Sequence, residues 1–132
     1  MFRNSVPHFE VTMLIPKPCA ERNITLNSAN IQKTARLIPA QLQWGEPLPI
    51  GVPRHPDILL AADCCYIEAS FPLLLSTMKL LIGKDTICFF CYKRRRRADK
   101  DMIGLLMKEF AVVEIEGEWQ RERMFVFEIS RK

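Results

Sequence analysis

Asp57-Ile58-Leu59-Leu60-Ala61-Ala62 is a short apolar run closed by Pro56 on one side and Asp63 on the other, the pattern of a strand buried on both faces. The period then changes. Phe71, Leu74, Leu75, Met78 and Ile82 recur at i, i+3, i+4, i+7 and i+11, which places them on one face of a helix. Ser70 stands where a cap is expected, Pro72 fits the first turn and Gly83 stands where the helix should end. Thr86-Ile87-Cys88-Phe89-Phe90-Cys91-Tyr92 is rich in β-branched and aromatic residues and reads as a second buried strand. Lys93-Arg94-Arg95-Arg96-Arg97 follows at once and marks the exit into solvent. From Asp99 the pattern is helical again, with Met102, Ile103, Leu106 and Phe110 on one face and Asp99 and Asp101 near the positive end of the helix dipole. Residues 111–116 and 124–130 then flank a polar connection containing Gly117, the spacing of an antiparallel hairpin.

Strand, helix, strand, helix and hairpin is the order of an α/β domain with a mostly parallel sheet and an antiparallel C-terminal hairpin. In such sheets ligands bind beyond the carboxyl ends of the strands. Asp63 to Tyr66 and the basic run after Tyr92 are therefore the places to look for chemistry. Upstream, residues 10–15 read as a short strand, residues 18–30 as a helix and residues 40–44 as another strand. No internal repeat and no linker rich in Gly or Ser divides the chain, so residues 1–132 are expected to form a single domain.

The 132 residues carry 19 Lys and Arg against 15 Asp and Glu, a net charge of +4, with 48% hydrophobic and 26% charged residues. That composition belongs to a soluble globular chain and excludes a disordered tail. No apolar run approaches the ~20 residues that cross a bilayer, and Pro7, His8 and Glu10 interrupt the stretch where a signal peptide needs apolar residues. The chain reads as cytoplasmic or nuclear, with no membrane partner. Cys19, Cys64, Cys65, Cys88 and Cys91 are odd in number and are taken as reduced thiols. Cys88 and Cys91 have CxxC spacing, but the chain has no second such pair and both histidines lie far upstream. Buried thiols on a strand are the better reading, and no metal site is expected.

Asp63-Cys64-Cys65-Tyr66 places a carboxylate and a phenol three residues apart where a strand gives way to a loop. Such a pair can present both groups to a ligand, and a carboxylate can orient an amine. The competing reading is a turn-forming Asp and a half-buried aromatic. Trp44-Gly45 joins a large flat aromatic to a residue that permits close backbone approach. A purine can stack there, although a core tryptophan followed by a turn glycine gives the same sequence. Five adjacent cations in the 93–97 run read first as a solvated, self-repelling loop, and second as a dock for an acidic protein partner. Nucleic acid is disfavoured, because no aromatic residue is interleaved with the charge and the rest of the chain is nearly neutral. Phosphate-cradling glycine loops and the nucleophile-elbow and zincin motifs do not occur in the sequence.

Taken together, Leu42-Gln43-Trp44-Gly45-Glu46-Pro47-Leu48, Pro56-Asp57-Ile58-Leu59-Leu60-Ala61-Ala62-Asp63-Cys64-Cys65-Tyr66 and Phe71-Pro72-Leu73-Leu74 resemble the second half of the seven-β-strand protein-lysine methyltransferases, of the methyltransferase family 16 type. Tyr92-Lys93-Arg94-Arg95-Arg96-Arg97-Ala98-Asp99-Lys100 is similar to the fungal members that methylate translation elongation factor 1A. The resemblance runs over residues 11–132 and covers about half of a family member. It implies a Rossmann-like sheet that holds S-adenosylmethionine above its carboxyl edge, and a substrate lysine entering beside an Asp/Glu-x-x-Tyr/Phe motif. By resemblance Asp63 and Tyr66 are the catalytic pair lining the lysine channel, and Trp44 and Ala62 contact the adenosyl part of the cofactor. The expected function is S-adenosylmethionine-dependent protein-lysine N-methylation, with elongation factor 1A as the substrate. The family's first strand and its Gly-rich loop have no counterpart in the sequence. Where the family has a ribose-binding carboxylate stands Thr12 or Met13, depending on the alignment. These departures describe a truncated domain and leave a second expectation: a non-catalytic interaction module that docks an acidic partner through Lys93-Arg97.

Overall fold

The computed structural model describes residues 17–30, 37–96 and 99–132. They belong to two compact units, 1–43 with 48–52 and 44–47 with 53–132. In the first unit, helix α1 (Lys17–Leu26) carries Pro18 in its opening turn, where a missing N–H costs nothing. Its end is tied off locally. The Asn27 N–H and side-chain amide both donate to the Asn23 carbonyl, at 3.1 and 2.8 Å, before a single 3-10 turn, Ser28–Asn30. The strand expected at residues 10–15, like the Thr12 and Met13 positions, lies outside the described residues.

In the second unit the elements follow in the order β1 (Ile58–Ala62), α2 (Phe71–Leu81), β2 (Ile87–Lys93), α3 (Asp99–Glu109), β3 (Phe110–Ile115) and β4 (Met124–Arg131). The strands form one sheet in the order β1-β2-β4-β3. β1 runs parallel to β2, with Ile58 opposite Ile87 and Ala62 opposite Cys91. β4 is antiparallel to both β2 and β3. The hairpin is as expected, but the last strand folds back between β2 and β3. Among the described residues the sheet is therefore mixed, not mostly parallel.

Registers and the two-residue pleat sort the side chains onto two faces. Leu59, Cys88, Phe90, Tyr92, Phe127 and Ile129 lie on one face and join Phe71, Leu74 and Met78 of α2 with Met102, Ile103 and Leu106 of α3 in a single core. Among the described residues the opposite face does not form a second core. There Ile58 is 54%, Leu60 72% and Val113 62% exposed, which corrects the expectation that β1 is buried on both faces. Residues 58–62 are apolar throughout, so composition alone could not distinguish the packed side from the open one.

Three local expectations also change. Ser70 precedes α2 but makes no capping hydrogen bond, because its backbone is already helical (φ −93°, ψ −4°) and follows a 3-10 turn. Gly83 does not end the helix: Ile82 leaves helical geometry first (φ −84°, ψ 97°). A Cβ on Gly83 would lie 2.5 Å from His55 Nδ1, so glycine is needed for close approach. Residues 40–44 form no strand; the chain reaches a turn at Trp44 and Gly45, and Gly45 has the positive φ (83°) that glycine adopts freely.

Candidate active site

Because β1 and β2 are parallel, both release their chains at the same edge of the sheet. Ala62 ends β1 and is exposed. Asp63 then takes a left-handed conformation (φ 54°), while its N–H donates to the Cys91 carbonyl at 2.8 Å and extends the ladder by one bond. Aspartate tolerates this region better than most side chains. The reversal sends Cys64 and Cys65 into the core, 9% and 4% exposed, and leaves Tyr66 54% exposed. The Asp63 side chain is half exposed. The backbone of Asp63 thus makes the turn, while its side chain stays at the surface.

Trp44 sits beside this loop. Its ring is half-buried against the core and 6.2 Å from the Tyr66 ring at 58°. The turn that carries it is fastened to α2, since the Gly45 N–H donates to Thr77 Oγ1 at 2.8 Å while that hydroxyl donates to the Leu73 carbonyl at 3.2 Å. Space is also tight: a Cβ on Gly45 would lie 2.7 Å from Leu73 Cδ2.

The basic run leaves β2 toward the same loop and is not a free, self-repelling segment. Arg94 lies over the Phe125 ring, 4.8 Å from its centroid, a cation–π contact. Arg95 Nη2 pairs with Asp63 Oδ2 at 2.7 Å, and Arg96 Nη2 donates to the Tyr66 carbonyl. Arg97 lies outside the described residues. The backbone beneath these side chains is pinned by Asp99 at the start of α3. That residue is 3% exposed, and its Oδ2 accepts the N–H groups of Arg95 and Arg96 at 2.8 and 3.0 Å. Asp63, Cys65, Tyr66, Lys93, Arg95, Arg96 and Asp99 enclose a cleft of only about 10 Å³, room for about one water molecule.

Burial would raise the Asp99 carboxyl, but the two backbone N–H donors and the nearby guanidinium groups outweigh it and hold the group below its ordinary value. The thiols respond the other way. Burial, with lesser repulsion from neighbouring groups, pushes Cys64 up to about 11 and Cys65 and Cys88 up to about 12. They remain neutral thiols at physiological pH, poor nucleophiles and poor metal ligands. Cys88 and Cys91 lie on opposite faces of β2, so their CxxC spacing does not make a chelating pair. Among the described residues no group of three or more His, Cys, Asp or Glu is arranged to hold a metal, and no helix is long and apolar enough to cross a membrane.

The structure therefore gathers Trp44, Asp63 and Tyr66, all singled out from the sequence, and places Ala62 at the end of the adjoining strand. Arg95 and Arg96 belong to the basic run that the sequence marked, although their contacts to Asp63 and Tyr66 were not foreseen; Thr77 and Asp99 were missed as contributors to this site. Thr77 carried a signal, being a hydroxyl in the otherwise apolar helix Phe71–Leu81. Asp99 carried none beyond its place at a helix start.

These residues lie at the carboxyl ends of the parallel strands β1 and β2, the edge at which α/β sheets bind their ligands. The profile of the lysine methyltransferase family matches residues 11–109, and the chain belongs to that family. It is 33% identical over 130 aligned positions to the protein-lysine N-methyltransferase EFM6 of Saccharomyces cerevisiae, covering 87% of this chain and 51% of that protein. The EEF1A lysine methyltransferase 3 of Mus musculus is 34% identical over 67 positions, 51% of this chain and 28% of that one. The chain spans about half, or less, of the length of these relatives. Its fold matches that of the N-methyltransferase NodS from Bradyrhizobium japonicum WM9 with a TM-score of 0.54 at 13% identity, over 92% of this chain and 72% of NodS.

Proposed function

We propose that this chain is a protein-lysine N-methyltransferase that uses S-adenosylmethionine and acts on translation elongation factor 1A, with Asp63 and Tyr66 at the lysine and Trp44 and Ala62 at the cofactor. The observation that carries this reading is the convergence of a half-exposed carboxylate and two aromatic rings at the carboxyl edge of β1 and β2. The substrate assignment rests on the likeness to the mouse EEF1A lysine methyltransferase 3.

Two features suit the adenosyl end of the cofactor. Ala62 is exposed with nothing beyond its Cβ to obstruct a ligand, and Trp44 offers a flat ring whose orientation is held by the Gly45–Thr77 hydrogen bond. When bound, S-adenosylmethionine supplies a sulfonium-borne methyl group for transfer to a neutral amine. The work left to the protein is positioning. Asp63 attracts and orients the incoming lysine side chain, whose proton must pass to water before the nitrogen can act as a nucleophile. Tyr66, beside Trp44, supplies an aromatic wall to the channel, and the neutral thiols behind it keep that wall apolar.

Calorimetric titration of the folded chain with S-adenosylmethionine tests the reading. Micromolar binding that weakens at least tenfold in Trp44→Ala is expected. A folded chain that takes up no cofactor overturns it.

A further inference from the structure

The carboxylate assigned to the substrate lysine already holds a cation. Arg95 Nη2 lies 2.7 Å from Asp63 Oδ2, the position an incoming ammonium would take, and the cleft behind it is about 10 Å³. A lysyl ammonium that pairs with this oxygen therefore displaces the guanidinium. The displacement is a side-chain motion. The Arg95 and Arg96 backbone is fixed through Asp99 Oδ2, whereas their side chains are 60% and 54% exposed and meet their partners at the surface.

The two arginines differ in what they meet on leaving. Arg96 already has an anion at hand: Asp99 Oδ1 is buried, lacks a hydrogen-bond partner and lies 3.8 Å from Arg96 Nε. Among the described residues the ion pair of Arg95 is with Asp63, and Asp99 is a more distant acidic neighbour. Once a lysine occupies that carboxylate, the Arg95 guanidinium stands beside the bound segment with its donor fork open. A planar guanidinium is best matched by a carboxylate, which it can grip through two parallel hydrogen bonds.

Resting on the lysine-binding reading of Asp63, we infer that Arg95 is both the resident competitor of the substrate lysine and a specificity determinant: the site takes a lysine that has an acidic neighbour in the substrate chain. Binding is then an exchange of ion pairs. The Arg95–Asp63 pair gives way to a lysine–Asp63 pair and an Arg95–carboxylate pair, so no charge is left unmatched. A lysine with a neutral neighbour breaks the first pair without supplying an anion for Arg95.

The test is fluorescence anisotropy of the full chain with two labelled peptides, each holding a single lysine, flanked by Glu in one and by Ala in the other. No methyl transfer is needed. The wild type is expected to bind the Glu peptide about fivefold more tightly at low salt, the upper range of a solvent-exposed ion pair, with the preference fading as salt is raised. Arg95→Gln erases the preference and tightens the Ala peptide, because the competitor is gone; Arg95→Lys retains part of the preference. Asp63→Asn weakens both peptides. Equal binding of the two peptides by the wild type, or a preference that survives Arg95→Gln, overturns the role of Arg95 while an effect of Asp63→Asn leaves the lysine site standing. If neither peptide binds the wild type, or Asp63→Asn binds both unchanged, the lysine-site reading itself fails and this inference with it.

Discussion

The two faces of the sheet are built from similar residues and do different things. On one, Cys88, Phe90 and Ile129 are fully buried beneath α2 and α3. On the other, Leu60, Ile58 and Val113 are more than half exposed, although Leu60 is separated from the core residue Leu59 by a single peptide bond. Apolar composition thus sets where a strand forms, while the partner elements set which side of it contributes to stability. The site draws on this asymmetry. Asp63 and the basic run sit where strands anchored by the packed face release their loops, so exposed charges are carried on a rigid base.

Truncating each face sharpens the contrast. Phe90→Ala is expected to cost about 3–5 kcal/mol in chemical denaturation, the range for a fully buried aromatic. A polar substitution at the edge of the packed region has a smaller effect, and one that depends on pH. Asp99→Asn is expected to cost about 1–3 kcal/mol at neutral pH, because charge-assisted bonds to two backbone donors are weakened. The sign follows from the depressed carboxyl: its contribution is present above the ordinary value of 3.8 and is lost as pH falls through the folded value. The gap between wild type and Asp99→Asn should therefore close on acidification.

Much of this frame was legible in the chain. The positions Phe71, Leu74, Leu75, Met78 and Ile82 predict the packed side of the helix because burial repeats with the helical period; all are buried except Leu75, which is half-buried, and Ile82 stands just past the end of α2. Residues 86–92 and the final hairpin are similarly plain. What escaped was set by contacts without a period. Asp99 reaches back three and four residues to bind Arg96 and Arg95, and Arg95 spans 32 positions to meet Asp63. A run of five cations looks self-repelling until its partners are known. Trp44 and Gly45 looked like the end of a strand because nothing local reveals that Gly45 bonds to Thr77, 32 positions away.

Two smaller effects complete the series. Thr77→Val keeps the shape of the side chain but removes the acceptor of the Gly45 N–H; about 1 kcal/mol of stability should be lost, with a looser Trp44 seen as a shifted fluorescence maximum. Leu60→Ala on the open face should change stability by less than about 1 kcal/mol despite removing as much hydrocarbon as a core truncation. A cost near that of Phe90→Ala would mean the two faces are not energetically distinct.

The central claim is that Asp63 serves the reacting lysine. The most direct measurement is transfer of a radiolabelled methyl group from S-adenosylmethionine to elongation factor 1A by the full chain and by Asp63→Asn, with the melting temperature of each recorded. The account predicts transfer by the wild type and a loss of at least a hundredfold in the variant at an unchanged melting temperature. Undiminished transfer by Asp63→Asn, or no transfer by a folded wild type that binds the cofactor, would contradict it.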